Sequence, residues 1–257
     1  MGRFQWLEFD DKCGPKVVAA PDDQGVDEAV CLERAGRLFR EESYERALYF
    51  YSLALRYQVN LERAWAGQVR CLLAVNEDVE ARTWAERGLD RFPGSADLLA
   101  ARGVALARTR GPTAGIRSSD QALEAHGGTE YVWLSRAEVL LLAGSADAAA
   151  RCCAKAVEIA GTDWYCHYSI GRIFESAGDT ARAVTHFAQA AQCDPKQPLP
   201  RIRAAECRER MGDIQGAKTN LYRALQLRPG DRDLRQRVQQ LESVGWLRRM
   251  WRALLRR

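Results

Sequence analysis

Hydrophobic and small residues recur along this chain at a fixed interval of 34 positions. Within each interval, apolar residues return every three or four positions, which is the spacing of one face of an α-helix. The pattern therefore predicts an all-helical chain built from several copies of one structural unit. Six frames align without an insertion or deletion, and they begin at residues 28, 62, 96, 130, 164 and 198.

Small residues mark the places where two helices of a unit must approach closely. A larger side chain there would push the two backbones apart, so we expect these positions to be buried between helices. Each frame is therefore predicted to form a hairpin of two helices. Twenty residues into the frames, the position is occupied by Ala47, Ala81, Gly115, Ala149, Ala183 and Ala217.

Turn signals separate the predicted helices. Gly144-Ser145, Gly178-Asp179 and Gly212-Asp213 lie in the middle of their frames, where glycine favours the end of a helix. Proline residues close several frames and cannot continue a helix. The third frame departs from the pattern, because it carries Gly111-Pro112 and Ser118-Ser119 where apolar residues are expected. We expect its second helix to be the loosest part of the stack.

The period, the paired small residues and the proline at the frame end resemble the tetratricopeptide repeat family. Trp65 and Trp133 near the frame start, and Asp194-Pro195 at a frame end, also match the pattern of that family. The resemblance covers residues 28–231. It implies an all-α fold: a right-handed superhelical solenoid of about six tetratricopeptide-like hairpins, followed by C-terminal capping helices.

We divide the chain into four segments. They are an N-terminal aromatic segment (1–27), six tetratricopeptide-like repeats (28–231), a capping helix (232–244) and a basic amphipathic helix (245–257) that follows a predicted helix break at Gly245. Two interpretations of the N-terminal segment remain open. Its aromatic cluster either folds back on the first hairpin or docks on another protein, and the cluster consists of Phe4, Trp6, Leu7 and Phe9.

The family resemblance also implies a binding site. Tetratricopeptide stacks bind peptides or helices along a groove lined by the first helix of each hairpin, and tyrosine and arginine are favoured in binding hot spots. The alternative is that these tyrosines pack on neighbouring helices of the stack. The candidate partner-binding residues are Arg70, Arg108, Tyr131, Leu134, Tyr165, Tyr168, Arg172 and Glu175.

The C-terminal segment carries most of the positive charge. Residues 232–257 hold eight arginines against Asp233 and Glu242, a net charge of +6, whereas the whole chain carries +4. In residues 246–257, apolar and arginine positions alternate at helical spacing, a pattern typical of interfacial helices. Such a short helix is not stable alone in water. We expect it to dock on the last repeat, on a partner or on a membrane surface through Trp246, Leu247, Met250, Trp251, Leu254 and Leu255.

Motifs for catalysis and cofactor binding do not occur in the sequence. We find no phosphate-binding loop, nucleophile elbow, zinc-protease motif or dinucleotide fingerprint. Only three histidines are available as general bases. We therefore expect no enzymatic activity and no cofactor. No apolar run approaches the ~18 residues that a membrane-spanning helix requires.

The eight cysteines contain no C-x-x-C pair and fit free thiols in a reducing cytoplasm. Most are predicted to fill the core as small hydrophobic residues. The alternative is a zinc site formed by Cys166, His167 and His186, but their spacing matches no standard zinc pattern. We therefore expect no metal.

These observations favour a cytoplasmic, non-catalytic adaptor that holds a partner protein within a multiprotein assembly. One alternative is an assembly factor tethered to a membrane surface by the C-terminal helix. Another is an RNA-binding helical repeat protein. Nucleic acid is not the expected partner, because the excess of basic residues is confined to the C-terminal segment.

Overall fold

The computed structural model describes residues 27–126 and 128–254, except for the side chains of residue 126 and of residues 244–254. The N-terminal aromatic cluster and Leu255 lie outside the described residues. Thirteen α-helices, and no strand, occur in the described part of the chain. They are α1 Glu28–Arg40, α2 Tyr44–Tyr57, α3 Glu62–Ala74, α4 Asp78–Arg91, α5 Ala96–Arg110, α6 Pro112–His126, α7 Glu130–Leu142, α8 Ala146–Ala160, α9 Trp164–Ser176, α10 Thr180–Cys193, α11 Leu199–Arg210, α12 Ile214–Leu227 and α13 Arg232–Leu254.

Each 34-residue frame contains two helices, and the first helix begins at or within one residue of the frame start. The chain divides into two compact units, with unit 1 ending at Ala149 and unit 2 beginning at Ala150. In unit 1, α1 packs on α2, α3 on α4 and α5 on α6. In unit 2, α9 packs on α10 and α11 on α12. The predicted all-α repeat fold is confirmed.

Polar side chains at the helix starts explain where many of these helices begin. Each accepts a hydrogen bond from a backbone N–H of the first turn, which would otherwise have no partner inside the helix. Asp179 and Asp213 do so directly after the predicted mid-frame glycines. The same arrangement occurs at Asp27, Ser95, Thr129 and Asp163.

The predicted small-residue positions are buried. The alanines at 47, 81, 149, 183 and 217 have no exposed surface, and Gly115 is also buried. An alanine at such a position lets the backbones of neighbouring helices approach without leaving a cavity. The sequence pattern therefore located the helix–helix contacts correctly.

The mid-frame turns share one backbone conformation in five frames. Gly144, Gly178 and Gly212 adopt φ angles of 75°, 80° and 78°. At the equivalent position of the first two frames, Glu42 and Asn76 adopt φ angles of 59° and 61°. This left-handed region is unusual for a residue with a side chain, although asparagine tolerates it better than most. The turn is thus imposed by hairpin packing even where the sequence lacks glycine.

The third hairpin is closely packed, so the expectation that its second helix is the loosest was wrong. A Cβ atom on Gly115 would lie 2.6 Å from the carbonyl oxygen of Gly103, which shows how near the backbones of α5 and α6 come. The Ser118 hydroxyl donates a hydrogen bond to the carbonyl oxygen of Leu99 at 2.8 Å. Arg102 in turn donates to the Ser118 hydroxyl at 3.0 Å. Hydrogen bonds and glycine contacts replace the missing apolar side chains.

Helix α13 continues through Gly245 to Leu254, so the predicted helix break at Gly245 was wrong. Glycine in a helix interior costs only about 1 kcal/mol relative to alanine, which does not end a helix that is favoured on both sides. The first turns of α13 pack on α12 through Leu234, Val238 and Leu241, which agrees with a capping role. The four-segment division of the chain remains a proposal. None of the described helices is both long and apolar enough to cross a membrane.

Enlarging a buried small residue should destabilise the stack. We expect Ala183→Leu, at a position with no exposed surface, to lower the free energy of unfolding by about 1–3 kcal/mol through overpacking. The control is Ala188→Leu, which enlarges an exposed residue of the same helix and should leave the melting temperature nearly unchanged. Equal melting temperatures for the two variants would contradict the assigned helix–helix contact.

Replacing Gln68 on α3 is expected to stabilise the protein rather than destabilise it. Its side chain is fully buried, and neither amide atom has a hydrogen-bond partner among the described residues. A buried amide without a partner is costly, whereas an apolar group of similar shape is not. We expect Gln68→Met to raise the free energy of unfolding by about 1 kcal/mol, as measured by urea titration. A loss of stability would mean that a polar group outside the chain satisfies this amide.

Candidate functional site

The first helices of the hairpins in unit 1 lie next to one another. Helix α1 contacts α3, α3 contacts α5, and α5 contacts α7. Their shared surface is called here the first-helix face of unit 1. It carries three of the predicted site residues as half-buried side chains, namely Arg70, Arg108 and Tyr131.

The guanidinium group of Arg70 lies between two aromatic rings. Its central carbon is 4.9 Å from the centroid of the Phe39 ring on α1 and 4.2 Å from that of Tyr131 on α7. A guanidinium over an aromatic face is attracted by the negative face of the ring. Burial raises the pKa of Tyr131 to about 12, although Arg70 opposes the shift, so the phenol stays neutral. The two rings therefore restrict the position of the Arg70 guanidinium.

Arg108 on α5 connects its own helix with three others of the same unit. It donates hydrogen bonds to the Asp78 carboxylate at 2.9 Å and to the Leu73 carbonyl oxygen at 3.0 Å. It also donates through Nε to the Glu138 carboxylate at 2.9 Å. Although burial opposes it, the carboxylates of Glu138 and Asp78 raise the pKa of Arg108. These bonds join α5 to α3, α4 and α7 beside the Arg70 cluster.

Two predicted site residues are buried and belong to the core. Tyr168 is 1% exposed and Leu134 is 6% exposed. The Tyr168 ring lies 5.5 Å from that of Phe187. For these two residues, the packing interpretation is the one that fits the structure. The sequence carried a signal, because the fifth position of every frame is apolar: Leu32, Ala66, Ala100, Leu134, Tyr168 and Ile202.

The remaining predicted residues, Tyr165, Arg172 and Glu175, lie together on α9 in unit 2. Tyr165 is half-buried, with its ring 5.7 Å from that of Tyr168. Arg172 Nε lies 3.5 Å from the Glu175 carboxylate, and Arg210 of α11 also pairs with Glu175. Each of the two groups of predicted residues is therefore assembled within its own unit.

Ion pairs continue from α11 to α13 in unit 2. Arg237 of α13 donates to the carboxylates of Glu206 and Glu209, each at 2.9 Å. Arg237 and Glu209 were not identified from the sequence as site residues, and neither were Phe39 and Asp78 in unit 1. A usable signal exists, because the paired charges stand 28 to 35 residues apart, about one repeat period. Residues separated by one period occupy neighbouring hairpins.

The histidines proposed as alternative zinc ligands form an aromatic stack. The rings of His167 and His186 lie 5.8 Å apart and nearly parallel, and the Phe174 ring stacks on His186 at 5.6 Å. Burial, followed by the neighbouring His167 and Arg182, lowers the pKa of His186 to about 4. In the described residues, no cluster of histidine, cysteine or acidic side chains has an arrangement that could hold a metal ion.

The anchor positions 246, 247, 250, 251 and 254 lie in the last turns of α13, whose backbone is helical. Their side chains are outside the described part of the chain, as is the whole of Leu255. The assignment of Trp246, Leu247, Met250, Trp251, Leu254 and Leu255 to an anchor therefore remains a prediction.

No protein-family model and no curated protein sequence matches the chain. Solved structures do resemble it. TTC0263, a tetratricopeptide repeat protein of Thermus thermophilus, is 20% identical, with 70% of this chain and 98% of that chain covered and a TM-score of 0.55. The Cut9–Hcn1 hetero-tetramer of the APC/C is 10% identical over 84% of this chain and 43% of that chain, with a TM-score of 0.51. The human IFIT1 dimer with PPP-AAAA is 17% identical over 78% of this chain and 50% of that chain, with a TM-score of 0.56.

The helical hairpins and these likenesses together define the class of the protein as an all-α repeat solenoid. More specifically, the chain has the tetratricopeptide repeat fold, as its 34-residue period implied. At these sequence identities the likeness shows the fold alone.

The histidine stack predicts a pH dependence of stability. Because the pKa of His186 is lowered on folding, the folded protein binds fewer protons than the unfolded chain between pH 6.5 and about 4. The free energy of unfolding should therefore fall as the pH falls through that window. We expect His186→Phe to be less sensitive to pH than the parent when urea unfolding is followed at several pH values. An identical pH profile for both proteins would show that His186 does not contribute.

Proposed function

We propose that the chain is a non-catalytic adaptor that binds a segment of a partner protein on the first-helix face of unit 1. The observation that carries this proposal is the Arg70 guanidinium held between the rings of Phe39 and Tyr131. Arginine and tyrosine dominate the energetics of many protein interfaces. Here they lie on one surface of adjacent helices, where an extended or helical segment could contact both.

Preorganisation supports this choice of face. Ordering a flexible arginine on binding has an entropic cost, which is reduced when its side chain is already fixed. The rings fix Arg70, and the bonds of Arg108 to Asp78 and Glu138 fix the neighbouring helices. Arg108 is then a positioning residue of this face, because its donors already bind acceptors of the chain.

The charges of the face favour a protein partner over RNA. Asp78 and Glu138 lie beside Arg108, and their carboxylates would repel a phosphate backbone. Proteins that bind single-stranded nucleic acid instead line their grooves with positive charge. Among the solved structures, Cut9 is in a complex with a protein and IFIT1 is in a complex with PPP-AAAA. The fold alone therefore does not distinguish a protein partner from RNA.

The state of the cysteines supports a non-catalytic role in a reducing compartment. The seven cysteines among the described residues are all free. Burial raises the pKa of the Cys71 and Cys153 thiols, to about 12 for Cys153. A thiol must lose its proton to act as a nucleophile, so these groups are poor candidates for catalysis. We place the adaptor in the cytoplasm on this basis.

Peptides selected from a random displayed library on the full chain would test the proposed face. Loss of a hot-spot side chain costs at least ~2 kcal/mol, so we expect Arg70→Gln and Tyr131→Ala each to weaken the selected peptides by about thirtyfold. Matched controls are Arg63→Gln and Tyr57→Ala, which change exposed residues of the same unit and should keep parental affinity. Titration by fluorescence anisotropy gives each dissociation constant.

A circular-dichroism melt of every variant separates lost binding from lost folding. The gentler change, Arg70→Gln, leaves the rings in place and keeps the test valid if Tyr131→Ala is unstable. Parental affinity in a folded Arg70→Gln variant would refute the proposed face. Tight binding of a single-stranded RNA, with a steep salt dependence, would instead favour the RNA-binding alternative.

A further inference from the structure

The apolar positions of helix α13 lie on one side of the helix in its first turns and on another side in its last turns. Its first turns use Leu234, Val238 and Leu241 to pack on α12. Because the helix continues through Gly245, the register of its last turns follows from the same helix. At about 100° per residue, positions 246, 250 and 254 lie about half a turn around the helix from the positions that contact α12. The two apolar stripes of α13 therefore lie on opposite sides of the helix.

The last turns also extend past the helix that α13 caps. Helix α12 has 14 residues and α13 has 23, and a short turn joins them as an antiparallel pair. About nine residues of α13, or ~14 Å, consequently extend beyond the length that α12 can cover. By register, positions 246, 250 and 254 are on the side of α13 away from the positions that contact α12, which argues against a capping role.

The charged residues in this last part of the sequence are all positive. Residues 243–257 contain five arginines and no acidic residue. Arg248, Arg249 and Arg252 occupy register positions opposite 246, 250 and 254, so the segment has an apolar stripe and a cationic stripe. The rest of the chain offers no such excess, since the net charge of the whole protein is only +4.

We propose that the last turns of α13 lie on the surface of an anionic phospholipid bilayer, with the stripe containing Trp246, Met250 and Leu254, and Trp251 at its edge, inserted at the interface. A tryptophan- and leucine-bearing stripe with arginines around it suits the boundary between headgroups and acyl chains. Anionic headgroups complement the five arginines. A second copy of the chain is a poorer occupant, because pairing two such ends would bring like charges together. This membrane contact goes beyond the proposed adaptor function and does not depend on it.

Vesicle flotation of the full chain tests the charge and the apolar stripe. We expect binding to vesicles of equal parts phosphatidylcholine and phosphatidylglycerol, and weaker binding to phosphatidylcholine alone. The triple variant Arg248→Gln, Arg249→Gln and Arg252→Gln should lose about a hundredfold in affinity for the anionic vesicles. The matched control changes three exposed arginines of unit 2 and should bind like the parent: Arg223→Gln, Arg228→Gln and Arg232→Gln.

The double variant Trp251→Ser and Leu254→Ser should lose at least about tenfold in affinity, because it removes apolar surface without changing the charge. Both parent and variant should show the same melting temperature, since the stripe lies on the side away from the last hairpin. A lower melting temperature with unchanged flotation would show that the segment caps the repeats, and would overturn the proposal.

Insertions after Gly245 test the register. Two alanines rotate the apolar stripe by about 200° towards the side of α12, whereas four alanines rotate it by only about 40°. We expect the two-residue insertion to weaken flotation and the four-residue insertion to preserve it. Equal flotation of both insertions would overturn the argument from a continuous helix. Failure of the parent to float, with a concentration-dependent dimer that Trp251→Ser and Leu254→Ser abolish, would assign the stripe to a second copy.

Discussion

The close approach of helices at one small residue per repeat is the constraint on which the rest of the structure depends. Ala47, Ala81, Ala183 and Ala217 have no exposed surface. The helices of each unit are brought near enough by these contacts to bury a continuous apolar layer, which no single hairpin could bury alone. In the third hairpin, Gly103 and Gly115 allow a similarly close approach of α5 and α6. The side chains around that contact can then be serines, provided that their hydroxyl groups are hydrogen-bonded.

The fold could be predicted because this constraint repeats in the sequence. Local features that packing imposes were harder to predict. Glu42 and Asn76 adopt the left-handed conformation that glycine adopts in later repeats, although nothing in their residue type requires it. Gly245 is the reverse case: glycine often ends a helix, but Gly245 lies inside α13. In both cases the preference of one residue is worth about 1 kcal/mol, and the contacts of a whole helix exceed it.

The candidate site was predicted only in part, because the type of a residue does not show which other residues of the fold it will contact. Arg70 and Tyr131 were identified as binding residues, but the ring of Phe39 on the other side of Arg70 was not. Tyr168 was grouped with Tyr165 as a binding residue. The two are three positions apart on α9, and Tyr168 is buried in the core whereas Tyr165 is half-buried. Comparison of equivalent frame positions separates the two, since the position of Tyr168 is apolar in all six frames.

The 34-residue period also determines which charged residues of the stack form ion pairs. Arg108 with Glu138, Arg210 with Glu175 and Arg237 with Glu206 each join residues about one period apart. A salt bridge at the surface contributes little to stability, but the carboxylates of these pairs are partly buried, and the pairs link α5 with α7, α9 with α11 and α11 with α13. Their geometry favours one register between neighbouring hairpins, because a shift of a single turn would separate the charges. The repeats thus neutralise much of their own charge internally. Residues 243–257 lie outside the six frames, and they hold five arginines and no acidic residue.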